Sequence, residues 1–298
     1  SLVGSEMCIR DSSNSYIAST FKFINMAQLS VTEANSLVER HLVSPAFADD
    51  RSGRYLLLTE DESISIMLNE EDHIRIQVLS DGLSLKQAYD VADKIDTLLD
   101  NALGFAFHEK LGYLTQCPTN LGTGLRASVM LHLPALQSGG VINRLEDNLS
   151  KIGLTLRGTF GEGTDAQAGM YQLSNQVTLG LSEETAIENL QSVTMQIVGN
   201  ERDARNEICK RLDTQDYIMR CLGKLKYALL MSTKEAQGLL SAVRLGAAQG
   251  IVSGISLDTL NSLLVELQPN TLTLNEGKEL SPQDRDKLRA ELIKEQLK

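Results

Sequence analysis

The stretch Cys117-Pro118-Thr119-Asn120-Leu121-Gly122-Thr123-Gly124-Leu125-Arg126 decides the fold class of this chain. Pro118 restricts the backbone, whereas Gly122 and Gly124 allow conformations that other residues avoid, so the stretch predicts a tight turn. The residues that follow alternate with the period of a half-buried strand, which places three of them on one face: Arg126, Ser128 and Met130. The sequence therefore predicts a turn that delivers a cation to the start of a strand.

The overall composition is that of a globular protein. Of the 298 residues, 42% are hydrophobic and 22% are charged, which is ordinary for such proteins. The formal net charge of -11 argues against nucleic acid as the main partner and is compatible with a cationic substrate. The longest apolar runs are shorter than the roughly 18 residues of a membrane span. Four cysteines without paired spacing indicate free thiols and a cytoplasmic location.

Alternating and helical patterns predict an α+β fold. Two capping boxes, Ser30 with Glu33 and Ser84 with Gln87, are expected to begin helices. A further helix is expected near 141–152. Most connections are too short for parallel crossovers, so a mainly antiparallel sheet with helices packed on it is predicted. Its strands are expected at 21–26, 55–59, 63–68, 73–79, 112–116, 127–133, 154–160 and 171–179.

The last third of the chain changes character. A long helical pattern runs from Ser182 to about residue 212, and only helices are predicted beyond it, at roughly 214–230, 233–248, 256–268 and 282–297. We therefore expect an α+β domain over 13–212 and a helical domain over 213–298. Residues 1–12 fit neither part and are expected to be a sequence scar.

Two further motifs combine carboxylates with arginine. In Asn69-Glu70-Glu71-Asp72-His73-Ile74-Arg75, strand alternation places Arg75 opposite the apolar face, and Glu71 joins it if the strand extends back through the turn. In Arg157-Gly158-Thr159-Phe160-Gly161-Glu162, glycines permit close backbone approach around one acid. Numbered in chain order, the stretch 69–75 is the first motif, the stretch 117–126 is the second and the stretch 157–162 is the third. Taken alone, the first motif is typical of a solvated hairpin and the third of an ordinary turn.

Together the three motifs resemble the active-site signature of the ATP:guanidino phosphotransferases, the phosphagen kinase superfamily, and within it the bacterial protein arginine kinases. The resemblance implies that Glu71 and Glu162 contact the guanidino substrate and that Cys117 lies beside it. A buried structural thiol is the alternative for Cys117. ATP is implied as cosubstrate, with Mg²⁺ arriving on the nucleotide and no protein-built metal site. The implied nucleotide-binding residues are His41, Arg75, Arg126, Ala127, Ser128, Val129, Met130, Arg157, Gly158, Thr159, Phe160 and Gly161.

A fourth motif lies in the helical domain. Arg285-Asp286-Lys287-Leu288-Arg289-Ala290 places Arg285 and Arg289 four residues apart, hence on one helix face. By pattern alone this is a solvated face. It resembles an Arg-Asp-x-x-Arg-Ala motif of bacterial protein arginine kinases, which implies an allosteric phosphoarginine site at Arg285, Asp286 and Arg289.

The resemblance implies transfer of the ATP γ-phosphoryl group to arginine side chains of proteins, marking them for degradation or inactivating a repressor in a stress response. Implied partners are a zinc-binding activator protein, a repressor, a Clp-type protease and a second copy of the chain. A small-molecule arginine or guanidino kinase and a catalytically silent phosphoarginine-binding adaptor are the alternatives. The family's upstream Ser-x-Arg-x-Arg strand has no counterpart here, so we expect an N-terminally truncated chain with weakened activity.

Overall fold

A computed structural model describes residues 20–158 and 167–298 of the chain. These residues form two compact units. The first comprises the described residues up to 127 together with 176–188, and the second comprises the described parts of 128–175 together with 189–298. Among the described residues every strand pairing is antiparallel. The predicted α+β class with an antiparallel arrangement is confirmed, although the strands form separate sheets.

The first unit is built on a four-stranded sheet. Its strands are β1 (Phe21–Asn25), β2 (Tyr55–Thr59), β3 (Ile64–Leu68) and β4 (Ile74–Val78), and they lie in the order β1-β2-β3-β4. Consecutive strands are neighbours, so the sheet is a meander joined by short turns. All four were predicted to within two residues at each end, because alternating apolar positions mark them clearly.

Both faces of this sheet are covered. One face packs against α1 (Val31–Glu39) and α2 (Pro45–Asp49) around a core that includes Phe47 and Met67. The other face packs against α3 (Leu85–Leu103), where Leu99 is buried. The two sides of each strand therefore face different helices, as the period of two requires.

One of the two predicted capping boxes is present. The Ser30 hydroxyl accepts from the Glu33 amide, and the Glu33 carboxylate accepts from the Ser30 amide, which confirms the first. The second is wrong. Ser84 precedes α3, but its hydroxyl donates to the Asp81 carbonyl 2.7 Å away and makes no cap bond. The preceding turn competes for the hydroxyl, a contact that the capping pattern does not contain.

A two-stranded ribbon follows α3. It consists of β5 (Phe107–His108) and β6 (Gly112–Tyr113). The predicted strand over 112–116 is wrong beyond Tyr113, because the chain turns away there. The Gln116 amide donates instead to the Asp72 carboxylate at 2.7 Å.

The second unit contains a three-stranded sheet in the order β7-β9-β8. The strands are β7 (Ser128–His132), β8 (Leu154–Gly158) and β9 (Met170–Asn175). Two helices, α4 (Pro134–Ser138) and α5 (Ile142–Ser150), connect β7 to β8. The strand predicted over 171–179 thus ends four residues early.

Helices complete the chain. They are α6 (Glu183–Ile208), α7 (Leu212–Tyr227), α8 (Thr233–Ala248), α9 (Leu257–Glu266), α10 (Pro269–Glu276) and α11 (Pro282–Gln296). Their shared core contains residues from Cys209 to Leu297, all within the second unit. Helix α10 was not predicted, since Gln268 before Pro269 makes no side-chain cap bond. The domain boundary near residue 212 stays a prediction. In the described part of the chain, no helix is both long and apolar enough to cross a membrane.

Candidate active site

The turn between β3 and β4 carries the first motif. Asn69 has a positive φ of 66°, a conformation that asparagine tolerates better than most residues. Its amide N–H donates to the His73 carbonyl at 3.0 Å, and its side-chain amide donates to the Gly53 carbonyl at 2.8 Å. These bonds close the turn and fix the acidic residues that it contains.

Glu70 is the carboxylate that contacts Arg75 in this turn. Its Oε1 accepts from the Ser44 hydroxyl at 2.7 Å and lies 3.3 Å from Nη1 of Arg75, while Oε2 accepts from the Glu71 amide at 2.8 Å. Burial raises the pKa of Glu70, but these three donors outweigh burial and lower it overall. Sequence reasoning did not single out Glu70, because Ser44 lies in a distant helix cap.

Glu71 points elsewhere. Strand β4 begins at Ile74, so the strand does not extend back to place Glu71 on the face of Arg75. The Glu71 carboxylate is exposed and accepts from the Asn120 side chain at 3.4 Å. It therefore faces the loop of the second motif.

The Cys117 loop lies against this turn. The backbone turns through a single 3-10 turn at Pro118–Asn120, and the Cys117 sulfur lies 2.9 Å from the Thr119 hydroxyl. Asp72 accepts from both Gln116 and Asn120. The half-buried Cys117 is a free thiol. The structure thus brings the first and second motifs together within one unit.

Thr178 fixes the far side of the Cys117 loop. Its hydroxyl lies 2.7 Å from the Leu121 carbonyl and 3.0 Å from the Thr119 carbonyl, and its own carbonyl accepts from the Thr123 amide at 2.9 Å. A Cβ on Gly122 would lie 2.2 Å from the Thr178 carbonyl oxygen, so this close approach requires glycine. Sequence reasoning missed Thr178, which carries no local signal.

His41 lies just beyond the end of α1. Its φ of 61° is in the left-handed region. Burial lowers the pKa of the imidazole, which therefore favours the neutral form. Its carbonyl accepts from the side chain of Gln77, which shares the face of Arg75 on β4. These contacts place His41 beside the strand of the first motif.

The alternation predicted after Arg126 is observed. Ser128 and Met130 are exposed, whereas Ala127 and Leu131 are buried and Val129 is half-buried. Arg126 precedes β7 and is exposed. The Ser128 hydroxyl accepts from the Gln172 side chain at 3.0 Å.

Arg157 lies on the same face of the three-stranded sheet. In the register of the sheet, Gln172 of β9 is opposite both Met130 of β7 and Arg157 of β8. The Arg157 side chain is exposed. Hydroxyl, amide and guanidinium groups therefore form a row across the sheet. Gly158 ends β8, and four predicted residues lie outside the described part of the chain: Thr159, Phe160, Gly161 and Glu162.

The fourth motif is more buried than its pattern indicates. Arg289 is only 1% exposed, and its guanidinium donates to the carbonyls of Leu267 and Met231 and to the Asp286 carboxylate. Arg285 is half-buried and donates to the Leu280 carbonyl at 2.9 Å. The interpretation of a solvated face is therefore wrong for Arg289, whereas Arg285, four residues earlier, lies closer to solvent.

Among residues 20–158 and 167–298, no group of three or more histidine, cysteine or acidic side chains is arranged to hold a metal ion. The described sites instead present hydroxyl, amide and guanidinium donors beside a few carboxylates. Such donors suit an anionic ligand, and the carboxylates suit a cationic one.

Two family models match the chain. The model for the ATP:guanido phosphotransferase C-terminal catalytic domain matches residues 6–204, and the model for the protein-arginine kinase McsB C-terminal domain matches residues 211–298. The chain is 46% identical to a protein-arginine kinase of Caldanaerobacter subterraneus, over 96% of the chain and 85% of that protein. It is 49% identical to a protein-arginine kinase of Halothermothrix orenii, over 92% and 79%.

Solved structures show the same fold. A duplicated taurocyamine kinase from Schistosoma mansoni with bound transition-state analogue components has a TM-score of 0.57 and 29% identity, over 67% of this chain and 29% of that one. A lombricine kinase has a TM-score of 0.56 over 66% of this chain and 57% of that one, and at 24% identity it supports the fold alone. The chain therefore belongs to the ATP:guanido phosphotransferase family, in the protein-arginine kinase group that also carries the helical C-terminal domain.

Proposed function

We propose that this chain transfers the γ-phosphoryl group of ATP to arginine side chains of proteins. The observation that carries the proposal is the combination of both family models on one chain with relatives named protein-arginine kinase at 46–49% identity. The adjacent first and second motifs support it, because they place a carboxylate and a thiol in one loop cluster.

The chemistry requires a base near the guanidinium. A guanidinium has a pKa above about 12 and is a poor nucleophile until a carboxylate holds it and accepts a proton. Glu71, exposed and facing the Cys117 loop, is suited to that role, and Glu162 is proposed as the second carboxylate. The guanidino nitrogen forms a bond to phosphorus while the bond from phosphorus to the ADP oxygen breaks. The displaced guanidino proton passes to the carboxylate.

The nucleotide would be held by arginines and by the exposed face of the β7-β9-β8 sheet. Arg157, Gln172 and Ser128 offer the donor types that bind phosphate oxygens, so the residues present fit a triphosphate. By the family resemblance, Arg75, Arg126 and His41 are also proposed as nucleotide-binding residues. When bound, ATP with Mg²⁺ supplies the phosphoryl group and neutralises part of its charge.

Glu70 is proposed to position Arg75. The carboxylate lies 3.3 Å from the guanidinium and also accepts from Ser44 and the Glu71 amide. A cation held this way loses less freedom when it binds a phosphate. The side chain of Arg75 keeps 45% of its surface exposed, so it can still reach a ligand.

Finer aspects of the function follow from the same resemblance. We propose allosteric binding of phosphoarginine at Arg285, Asp286 and Arg289, action in the cytoplasm as a homodimer, and control by a zinc-binding activator protein. The modification would mark proteins for a Clp-type protease or inactivate a repressor. Because Arg289 is buried whereas Arg285 is half-buried, we propose that a ligand would meet such a site at Arg285 rather than at Arg289.

A small-molecule guanidino kinase is the second candidate. The likeness to a taurocyamine kinase favours it, whereas the helical domain matched over 211–298 argues against it. A silent phosphoarginine-binding adaptor is the third candidate. It would keep the helical domain and lose phosphotransfer.

One competition experiment separates the three candidates. The chain is incubated at neutral pH with Mg-ATP, an arginine-rich protein and free arginine together, and phosphoarginine is measured by mass spectrometry. Phosphoarginine on the protein supports the proposal, and phosphoarginine only on free arginine supports the small-molecule kinase. Phosphoarginine on neither supports the adaptor and refutes the proposed activity.

A further inference from the structure

His132, at the end of β7, contacts helix α8 through both ring nitrogens. Nε2 lies 2.8 Å from the Ser241 hydroxyl, and Nδ1 lies 2.7 Å from Nη1 of Arg244. A guanidinium can only donate, so Nδ1 accepts and the ring proton resides on Nε2, which donates to Ser241. One neutral tautomer thus joins the strand to two positions three residues apart on α8.

Arg205 of α6 completes the contacts of His132. Its guanidinium donates to the His132 carbonyl and lies 3.3 Å from Nδ1 of the ring. Its Nε donates to Glu201 at 2.6 Å, and the buried Glu201 carboxylate accepts from the amides of Ala135 and Leu136. Backbone and side chain at the end of β7 are therefore both fixed by helices.

The other end of α8 is fixed by the fourth motif. Ser232 caps this helix, and the preceding Met231 donates from its amide to the Asp286 carbonyl at 3.0 Å. The Met231 carbonyl accepts from Arg289 at 2.7 Å. Helix α8 thus runs from the motif at Asp286 and Arg289 to His132, a distance of about 18 Å from Ser232 to Arg244 at 1.5 Å per residue.

We propose that His132 is a positioning residue that couples α8 to β7, so that a change at Asp286 reaches the strand that bears Ser128 and Met130. The proposal rests on the proposed function, because those two residues matter as part of a nucleotide site. A helix is a stiff element, and hydrogen bonds at 2.7–2.8 Å tolerate little displacement. A shift of α8 is therefore transmitted to the strand through this side chain.

A purely structural role makes a different prediction. If His132 only stabilises the second unit, replacing it lowers the free energy of unfolding. A change at Asp286 then has the same effect on β7 whether or not the His132 side chain is present. If His132 couples the two elements, its replacement removes the effect of the Asp286 change. A double-mutant cycle separates these cases, because it reads the coupling and not the separate effects.

The test compares the wild-type chain, Asp286→Asn, His132→Asn and the double variant. Backbone amide chemical shifts of Ser128 and Met130 are measured by NMR, together with the dissociation constant for ATP. We expect Asp286→Asn to move the shifts in the wild-type background and to leave them unchanged when His132 is absent. The factor by which Asp286→Asn changes the dissociation constant for ATP should differ by about 2- to 30-fold between the wild-type and His132→Asn backgrounds, the range found for such networks.

Arg244→Gln provides a second route if His132→Asn fails to fold, since it removes one of the two α8 contacts and leaves the ring in place. Leu263→Ala is the matched control, because Leu263 lies in the same helical core and is not one of the hydrogen-bond partners of the His132 ring. The proposal is overturned if Asp286→Asn still moves the Ser128 and Met130 amide shifts in both the His132→Asn and the Arg244→Gln backgrounds. It is also overturned if Asp286→Asn does not move these shifts in the wild-type background. The NMR readout needs no phosphotransfer, so failure of the proposed function is recognised separately by the absence of phosphoarginine.

Discussion

Replacing Arg289 with alanine is expected to unfold the helical part of the chain at much lower denaturant concentration. The side chain is 1% exposed and joins three segments: it donates to the Leu267 carbonyl after α9, to the Met231 carbonyl before α8, and to Asp286 in its own helix. The substitution leaves both carbonyls without this donor and the carboxylate without its cation.

The expected loss in the free energy of unfolding follows from those three contacts. Breaking a buried ion pair by removing one partner costs about 3–5 kcal/mol. The Asp286 side chain keeps 37% of its surface exposed, which reduces the electrostatic share. Leaving two buried carbonyls without a donor adds about 1–3 kcal/mol for each one that water does not reach. We therefore expect Arg289→Ala to lower the free energy of unfolding by about 3–5 kcal/mol.

Arg285→Ala is the matched control, since this half-buried residue four positions earlier makes a hydrogen bond to the Leu280 carbonyl. We expect it to cost about 1 kcal/mol. The chain has no tryptophan, so urea unfolding is followed by far-ultraviolet circular dichroism. If Arg289→Ala costs no more than Arg285→Ala, the contacts of Arg289 do not support the helical part and the reasoning is refuted.

Three further predictions concern other parts of the chain. Gly122→Ala should abolish phosphotransfer by displacing the Cys117 loop, because its Cβ would lie 2.2 Å from the Thr178 carbonyl oxygen. Gly124→Ala is the control, because a Cβ at Gly124 would meet no atom within 4 Å. Equal activities of the two variants in a phosphoarginine assay would contradict the packing argument. Thr178→Val should cost about 1–3 kcal/mol by leaving the Leu121 and Thr119 carbonyls without its hydroxyl, measured by urea unfolding, and an unchanged midpoint would contradict this. Burial, Arg244 and Arg205 hold the pKa of His132 well below 6.5, so below pH 6.5 the unfolded chain binds a proton that the folded chain does not. The free energy of unfolding should therefore decrease as the pH is lowered below about 6.5, by at most about 1.4 kcal/mol per pH unit from this group. This dependence on pH should be weaker in His132→Asn. Equal slopes in the wild type and in His132→Asn would contradict the prediction.

Features set by short-range periodicity were predictable from the sequence. The exposure of Ser128 and Met130 and the burial of Leu131 follow from a period of two, which a few residues are enough to establish. The capping box at Ser30 is equally local, because its two hydrogen bonds join residues three apart. The strands of the first sheet were found for the same reason.

Features that depend on distant contacts were not predictable. Glu70 gains its role beside Arg75 partly from Ser44, and Thr178 fixes a loop more than fifty residues earlier in the chain. Neither contact leaves a periodic pattern. At Ser84 the local pattern was present, but the Asp81 carbonyl took the hydroxyl. Arg289 shows the same limit, since a charged residue at helical spacing gives no sign that it will be buried.

The central claim concerns phosphotransfer to protein arginine with Glu71 as the proton-accepting carboxylate. The most direct test measures the rate of phosphoarginine formation on an arginine-rich protein with Mg-ATP at neutral pH, for the wild type, Glu71→Gln and Glu60→Gln. Glu60, an exposed acid in the turn between β2 and β3, is the matched control. We expect Glu71→Gln to lower the rate by about 10²- to 10⁴-fold, the usual contribution of a general base, and Glu60→Gln to leave it unchanged. Equal rates for Glu71→Gln and the wild type, or no phosphoarginine on the protein in any of the three, would contradict the account.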